Sequence, residues 1–174
     1  MVSAAGLVLV GAVAAERLGE LILARRNAAW ALARGGAESG RAHYPAMVLL
    51  HAGLLAGAAV EPIVTAQPFD PIRFGIATAA IAAAQCLRWW TIATLGRRWN
   101  TRVIAMPGLP LVTGGPFRFL RHPNYLAVAV EVTALPVAVG AWGTAVAATL
   151  LNALLMAVRI PCEETALGIR PRRA

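Results

Sequence analysis

Two polar stretches lie between apolar segments of this chain. The first, residues 114–125, reads Gly-Gly-Pro-Phe-Arg-Phe-Leu-Arg-His-Pro-Asn-Tyr. Its glycines predict a flexible turn with free backbone amides, and Pro123 suits the first turn of a helix, where its missing N–H does no harm. Arg121 and His122, just before that helix, favour an anionic group such as a carboxylate or phosphate. Arginine and tyrosine are also common anchors at a membrane interface, so this alternative stays open.

The second stretch is Arg-Ile-Pro-Cys-Glu-Glu at residues 159–164. If a helix continues through it, Arg159 and Glu163 are four residues apart and share one face, where they would pair or jointly hold a polar ligand. A helical hairpin through residues 140–143 would return this stretch to the first one. Together, the two stretches predict a pocket for a zwitterionic molecule.

The composition predicts the elements that position these residues. The 174 residues are 59% hydrophobic and 14% charged, with mean hydropathy +0.65, which favours an all-α integral membrane bundle of one domain, residues 1–174. All sixteen basic residues are arginine, and the net charge is +8. Arginines facing the cytoplasm and the lipid headgroups explain this charge, so membrane lipids are expected partners and nucleic acid is not. Cys86 and Cys162 form no metal-binding pattern, and no metal is expected.

The apolar runs predict five transmembrane helices, at about residues 2–23, 46–64, 74–93, 124–139 and 142–158. The first and third connections and the tail beginning at Arg159 are rich in arginine, whereas the second and fourth connections together hold only Arg73. This asymmetry places the N-terminus outside and the C-terminus in the cytoplasm. We therefore expect a multi-pass protein of the cell membrane with both polar stretches on its cytoplasmic face.

Polar residues inside the predicted spans suggest a polar cavity in the inner half of the bundle, because each is costly in hydrocarbon without a partner. The alternative is that they form pairs near the interface or hydrogen bonds between helices. Glu131 is the strongest candidate for substrate contact because it is deep and acidic. The candidate substrate-cavity residues are Glu131, His51 and Asn152, and the other polar residues in spans are Glu16, Arg17, Glu20 and Gln85.

Three segments carry a family resemblance. They read Leu-Arg-Trp-Trp followed by Leu-Gly-Arg-Arg-Trp-Asn-Thr-Arg, then Val-Thr-Gly-Gly-Pro-Phe-Arg-Phe-Leu-Arg-His-Pro-Asn-Tyr, then Arg-Ile-Pro-Cys-Glu-Glu-Thr-Ala-Leu. The chain resembles the isoprenylcysteine carboxyl methyltransferase family of membrane enzymes over about residues 85–167. The first half contains Glu-Leu at 20–21, Arg-Asn at 26–27, Gly-Ala-Glu at 36–38 and His-Tyr-Pro at 43–45. With these residues it is more similar to a bacterial branch found beside type III polyketide synthases than to the eukaryotic prenyl-protein enzymes.

This resemblance implies S-adenosylmethionine as methyl donor, bound within about residues 95–167, and a lipophilic acceptor that enters from the bilayer. Arg159 and Glu163 would take the catalytic roles. The chain departs from the family pattern at residues 168–174, which replace the usual aromatic terminal helix and put a terminal lid in doubt. The implied cofactor-binding residues are Trp99, Gly115, Pro116, Phe117, Arg121, His122, Pro123, Tyr125 and Glu164.

The function expected from this resemblance is S-adenosylmethionine-dependent O-methylation. The acceptor would be the hydroxyl of an alkylpyrone or alkylresorcinol, or a prenylcysteine-like carboxylate. Two alternatives stay open: a membrane NADPH-dependent reductase of the sterol-reductase type, and a non-catalytic membrane scaffold.

Overall fold

Five α-helices form the protein in the computed structural model, which describes residues 3–169. They are α1 (Ala4–Leu32), α2 (Tyr44–Val64), α3 (Pro71–Leu95), α4 (Pro123–Val139) and α5 (Trp142–Ala166). Two short strands, β1 (Ala37–Ser39) and β2 (Val103–Ala105), pair antiparallel with Glu38 opposite Ile104. Single 3-10 turns occupy Arg41–His43, Gly96–Arg98 and Gly115–Arg118. The predicted number of five helices is confirmed, whereas the five membrane spans and the orientation of the termini stay predictions. The small two-stranded sheet is an addition to the all-α prediction.

Two helices extend beyond the spans predicted from the apolar runs. Helix α1 continues to Leu32, well past the predicted end at residue 23, because the alanine-rich segment after Glu20 holds no glycine or proline before Gly35. Helix α5 continues to Ala166, so residues 159–164 belong to the helix and not to a separate tail. The predicted start of the first span at residue 2 and the departure over residues 170–174 lie outside the described residues.

Helix α4 forms the centre of the bundle. Ten of its 17 residues are buried, and it packs most extensively on α3 and α5. Gly140 ends α4 with φ +80°, in the left-handed region that glycine adopts most easily, and α5 begins two residues later. The main apolar core consists of Val10, Val13, Leu50, Leu54, Ala58, Ile81, Val128, Val132, Leu135, Val139, Ala141 and Ala148.

Two helices are long and apolar enough to cross a membrane. They are α2 with the turn before it, Arg41–Val64, and α5, Trp142–Ala166. In each helix only 22% of the most apolar 18-residue stretch is buried, whereas the core helix of a soluble protein would be mostly buried. Helix α4 is apolar but shorter, with 17 residues. These exposed apolar helices are what a membrane protein requires.

Glu61 near the end of α2 caps the N-terminus of α5. Its carboxylate accepts hydrogen bonds of 2.7 Å from the backbone N–H groups of Gly143 and Thr144 and from the Thr144 hydroxyl. The first N–H groups of a helix have no partner within the helix, so this contact both satisfies them and joins α2 to α5.

We predict that Glu61→Ala lowers the free energy of unfolding by about 1 kcal/mol, because two helix N–H groups lose their acceptor. Glu61→Gln keeps one acceptor oxygen, so its free energy of unfolding should fall by less than that of Glu61→Ala. The measurement is thermal unfolding of both variants and the unchanged protein in the same detergent. Equal stability of Glu61→Ala and the unchanged protein would show that this cap is not needed.

Candidate active site

The hairpin of α4 and α5 brings the two polar stretches together. The helices are antiparallel neighbours, so Tyr125 in the first turn of α4 lies beside the last turns of α5. The Arg159 Nε donates a 3.0 Å hydrogen bond to the Tyr125 hydroxyl, which in turn donates to the Glu163 carboxylate. Arg159 and Glu163 therefore share one helical face and one hydroxyl partner, as their spacing predicts.

Glu164 contacts the residues just before α4. Its Oε1 lies 3.1 Å from His122 Nε2 and 3.4 Å from Arg121 Nε. The side chain of Glu164 is only 6% exposed, whereas that of Arg121 is 66% exposed. The His122 ring also lies 5.5 Å from the ring of Tyr125. A buried carboxylate, a histidine and a solvent-facing guanidinium thus meet at one end of the hairpin.

The connection after α3 supplies a third side of this site. Arg159 Nη2 donates a 2.6 Å hydrogen bond to the backbone carbonyl of Thr101. This connection is itself fixed to α1, because Asn27 donates to the Trp99 carbonyl at 2.8 Å and Asn100 donates to the Ala24 carbonyl at 3.2 Å. Sequence reasoning did not find Thr101, since any residue type can supply a backbone carbonyl.

Some predicted cofactor-binding residues have other surroundings. Gly115, at φ +56°, packs so closely on Thr94 of α3 that a Cβ there would collide with the threonine side chain. Pro116 is fully buried, and the Phe117 N–H already donates to the Gly114 carbonyl at 3.2 Å. The role of this turn in cofactor binding stays a prediction.

Trp99 lies in an apolar cluster and not at the surface. It is 2% exposed and packs with Ala24 and Ile92 between α1 and α3. Its indole Nε1 has no hydrogen-bond partner among residues 3–169. The contact of Trp99 with a cofactor stays a prediction.

The polar residues of the spans form a hydrogen-bonded network between α1, α3 and α4. Arg17 pairs with both Glu20 and Glu131, and Gln85 Nε2 donates to Glu131 at 3.0 Å. Arg88, which the sequence reasoning missed, pairs with Glu20. Most of these groups therefore satisfy one another, as the alternative of hydrogen bonds between helices predicts.

His51 and Asn152 have few polar contacts. His51 Nδ1 lies 2.9 Å from the Met47 carbonyl of its own helix. Asn152 is 4% exposed, and its Oδ1 has no partner among residues 3–169. This buried acceptor is available to a ligand or a water, but a shared substrate cavity with Glu131 stays a prediction.

Two grooves on the described part of the chain lie away from the site, since neither is lined by Arg159 or Glu163. The first, of about 620 Å³, runs between α3 and α4 over apolar residues such as Ile76 and Val130. The second, of about 510 Å³, lies between α1 and the end of α3.

Comparison with known proteins identifies the family. Residues 76–169, more than half of the chain, match the model of the isoprenylcysteine carboxyl methyltransferase (ICMT) family. The chain belongs to this family, and the predicted resemblance is confirmed. Together with the two exposed apolar helices, this membership identifies a membrane methyltransferase.

Two bacterial relatives match nearly the whole chain. YpbQ of Bacillus subtilis, an uncharacterized protein, is 32% identical over 159 residues, covering 91% of this chain and 94% of the relative. An uncharacterized protein of Haemophilus influenzae is 25% identical over 156 residues, covering 88% of this chain and 90% of the relative. No solved structure matches the chain.

The residues at the end of the hairpin fit S-adenosylmethionine, the methyl donor of this family. That molecule carries a carboxylate, an ammonium group, ribose hydroxyls and a sulfonium, and so needs partners of both charges. The site offers Arg121 and His122 beside Glu163 and Glu164. In the first turn of α4, Asn124 also holds a buried Oδ1 without a hydrogen-bond partner among the described residues, which makes one further acceptor available.

The hydroxyl of Tyr125 joins Arg159 and Glu163. We predict that Tyr125→Phe lowers the free energy of unfolding by about 1–3 kcal/mol, because both residues lose this shared partner. Tyr44→Phe is the matched control, since its hydroxyl makes only a 3.4 Å contact with Thr101. Detergent-solubilised protein is compared by thermal unfolding. If both variants lose the same stability, the Tyr125 hydroxyl has no special role.

The buried network yields a second prediction. Arg17→Leu leaves Glu131 without a cationic partner and should cost about 3–5 kcal/mol of stability. Adding Glu131→Gln removes the buried charge and should recover part of that loss. Unfolding of both single variants and the double variant gives the coupling energy. A double variant as unstable as the sum of the singles would show that Arg17 and Glu131 do not interact energetically.

Proposed function

We propose that the protein is an S-adenosylmethionine-dependent O-methyltransferase acting on a lipophilic acceptor. The observation that carries this proposal is the meeting of the two polar stretches, in which Tyr125 contacts both Arg159 and Glu163 while Glu164 contacts His122. Each stretch alone is compatible with membrane anchoring. Their convergence at one end of the hairpin, with charges of both signs, is what a zwitterionic cofactor needs.

The bound cofactor supplies an electrophilic methyl group on a sulfonium, and its transfer requires positioning more than covalent help from the protein. Arg121 and His122 bind the carboxylate of the methionine part. Glu164 binds a ribose hydroxyl or the amino group, in exchange for its present contact with His122. Tyr125 packs against the cofactor. The Gly115 N–H completes its binding, because Pro116 has no N–H and the Phe117 N–H donates to the Gly114 carbonyl.

Arg159 orients the acceptor oxygen in this proposal. If the acceptor is an un-ionised hydroxyl, Glu163 accepts its proton as the oxygen bonds to the methyl carbon and the sulfonium leaves as a neutral thioether. An acceptor that is already anionic needs no base. Glu131, His51 and Asn152 contact the acceptor where it extends into the bundle.

The acceptor is the hydroxyl of an alkylpyrone or alkylresorcinol, or a prenylcysteine-like carboxylate. Similarity of the first half to the bacterial branch beside type III polyketide synthases favours the hydroxyl.

All five helices span the cell membrane in this proposal, with the N-terminus outside and the site in the cytoplasm. The arginine-rich connections support this orientation. The acidic and basic residues within α1 and α3 pair with one another, which lowers the cost of their burial in the bilayer.

Labelled S-adenosylmethionine tests both the reaction and the acceptor. Membranes containing the protein are incubated with the label and with each acceptor class in turn. Label released as methanol by base indicates an ester, and base-stable label indicates an ether. Purified protein should bind S-adenosylhomocysteine and not NADPH. Binding of NADPH instead would indicate a reductase, and binding of neither would indicate a scaffold.

We predict that Arg159→Ala and Glu163→Ala each reduce methyl transfer at least about tenfold, or ~1.4 kcal/mol in the barrier. The control is Arg118→Ala, because Arg118 is an exposed arginine before α4 without a described ion pair. Rates are measured on variants whose thermal unfolding shows that they are folded. Full activity of both site variants would remove residues 159–163 from the mechanism.

A further inference from the structure

The groove between α1 and the end of α3 has the chemistry of an amphiphile site. Its floor is apolar, formed by Leu23 and Ile92. Arg26 of α1 and Arg97 of the turn after α3 also line the groove, together with Trp30. No carboxylate lines this groove among the described residues.

The two arginines at the groove are available for a ligand. Both are exposed, and within residues 3–169 neither has a salt bridge. The Arg97 guanidinium lies 6.0 Å from the centre of the Trp30 ring, which restricts its position. Arg34 adds a third positive charge, 4.8 Å from the same ring. Asn27 also lines the groove, but its amide nitrogen is already used by the Trp99 carbonyl.

We propose that this groove binds an anionic phospholipid, with the phosphate between Arg26 and Arg97 and the start of an acyl chain on Leu23 and Ile92. Arginine suits phosphate because its planar guanidinium donates several hydrogen bonds at once. The apolar floor selects a lipid over a free phosphate, which would gain nothing from Leu23 or Ile92. This proposal is independent of methyl transfer.

A bound lipid would also stabilise the candidate active site. Asn27, on the groove wall, fixes the segment 96–101, and the Thr101 carbonyl at the end of that segment binds Arg159. An occupied groove should therefore raise the thermal stability of the whole protein, as any ligand that binds only the folded state does.

The test uses the full-length protein in a mild detergent with phosphatidylglycerol or phosphatidylcholine of the same acyl chains. Native mass spectrometry counts bound lipid, and thermal unfolding measures stabilisation. We expect the protein to retain phosphatidylglycerol preferentially, and Arg26→Gln/Arg97→Gln to weaken that retention by at least about fivefold, since two arginine–phosphate contacts are lost. Loss of the lipid-induced thermal stabilisation should accompany this effect.

The matched control is Arg25→Gln/Arg118→Gln, which removes the same charge from two exposed arginines outside the groove. It should retain phosphatidylglycerol within about twofold of the unchanged protein. Equal losses in both double variants would show diffuse attraction to the basic surface and overturn the site. Unchanged retention of phosphatidylglycerol in Arg26→Gln/Arg97→Gln would also overturn the site. Displacement of the bound lipid by glycerol phosphate, at a concentration similar to that of the lipid, would do the same. If the double variant does not fold, Arg97→Gln alone against Arg118→Gln gives the same comparison.

Discussion

A charge buried among apolar helices needs a partner of opposite charge, and this constraint fixes how the helices of this protein meet. Arg17 of α1 reaches Glu131 of α4, and Arg88 of α3 reaches Glu20 of α1. Leaving any one of these groups alone in an apolar interior would cost several kcal/mol, roughly 3–5 when a pair is broken. The pairs therefore define which faces of α1, α3 and α4 can pack together.

The same constraint operates at the candidate active site, but with a different result. Arg159 is 5% exposed and is held by the Tyr125 hydroxyl and the Thr101 carbonyl, neither of which carries a full opposite charge. Its neighbour Glu163 bonds to the same hydroxyl. Charges held in this way can exchange a neutral partner for a ligand at lower cost than charges in a tight ion pair. This difference separates the proposed reactive end of the bundle from its structural interior.

Membership of the isoprenylcysteine carboxyl methyltransferase family connects this geometry to methyl transfer. The family model begins in α3, so it covers the hairpin and the connection before it, but not α1 or α2. Yet α1 holds the 96–101 segment through Asn27, and α2 caps α5 through Glu61. The first two helices thus support the part of the chain that carries the family pattern.

The sequence by itself determined the helices and the meeting of the two polar stretches. Apolar runs set the number of helices, and a short connection after α4 allows only an antiparallel neighbour, so residues near 125 and 159 had to approach each other. The apolar runs end before α1 and α5 do, because arginine and glutamate interrupt an apolar run although they are good helix formers.

Only the tertiary structure decided which polar groups pair. The sequence suggests Glu131 and Gln85 as residues of a polar cavity. In the structure Glu131 accepts hydrogen bonds from Arg17 and Gln85, so these side chains join α1, α3 and α4. Trp99 is expected from the family resemblance to contact the cofactor, and its side chain is buried between α1 and α3. Thr101 gave no signal at all, because a backbone carbonyl is present at every position. Pairing depends on the rotation and contact of helices far apart in sequence, and local patterns carry no information about either.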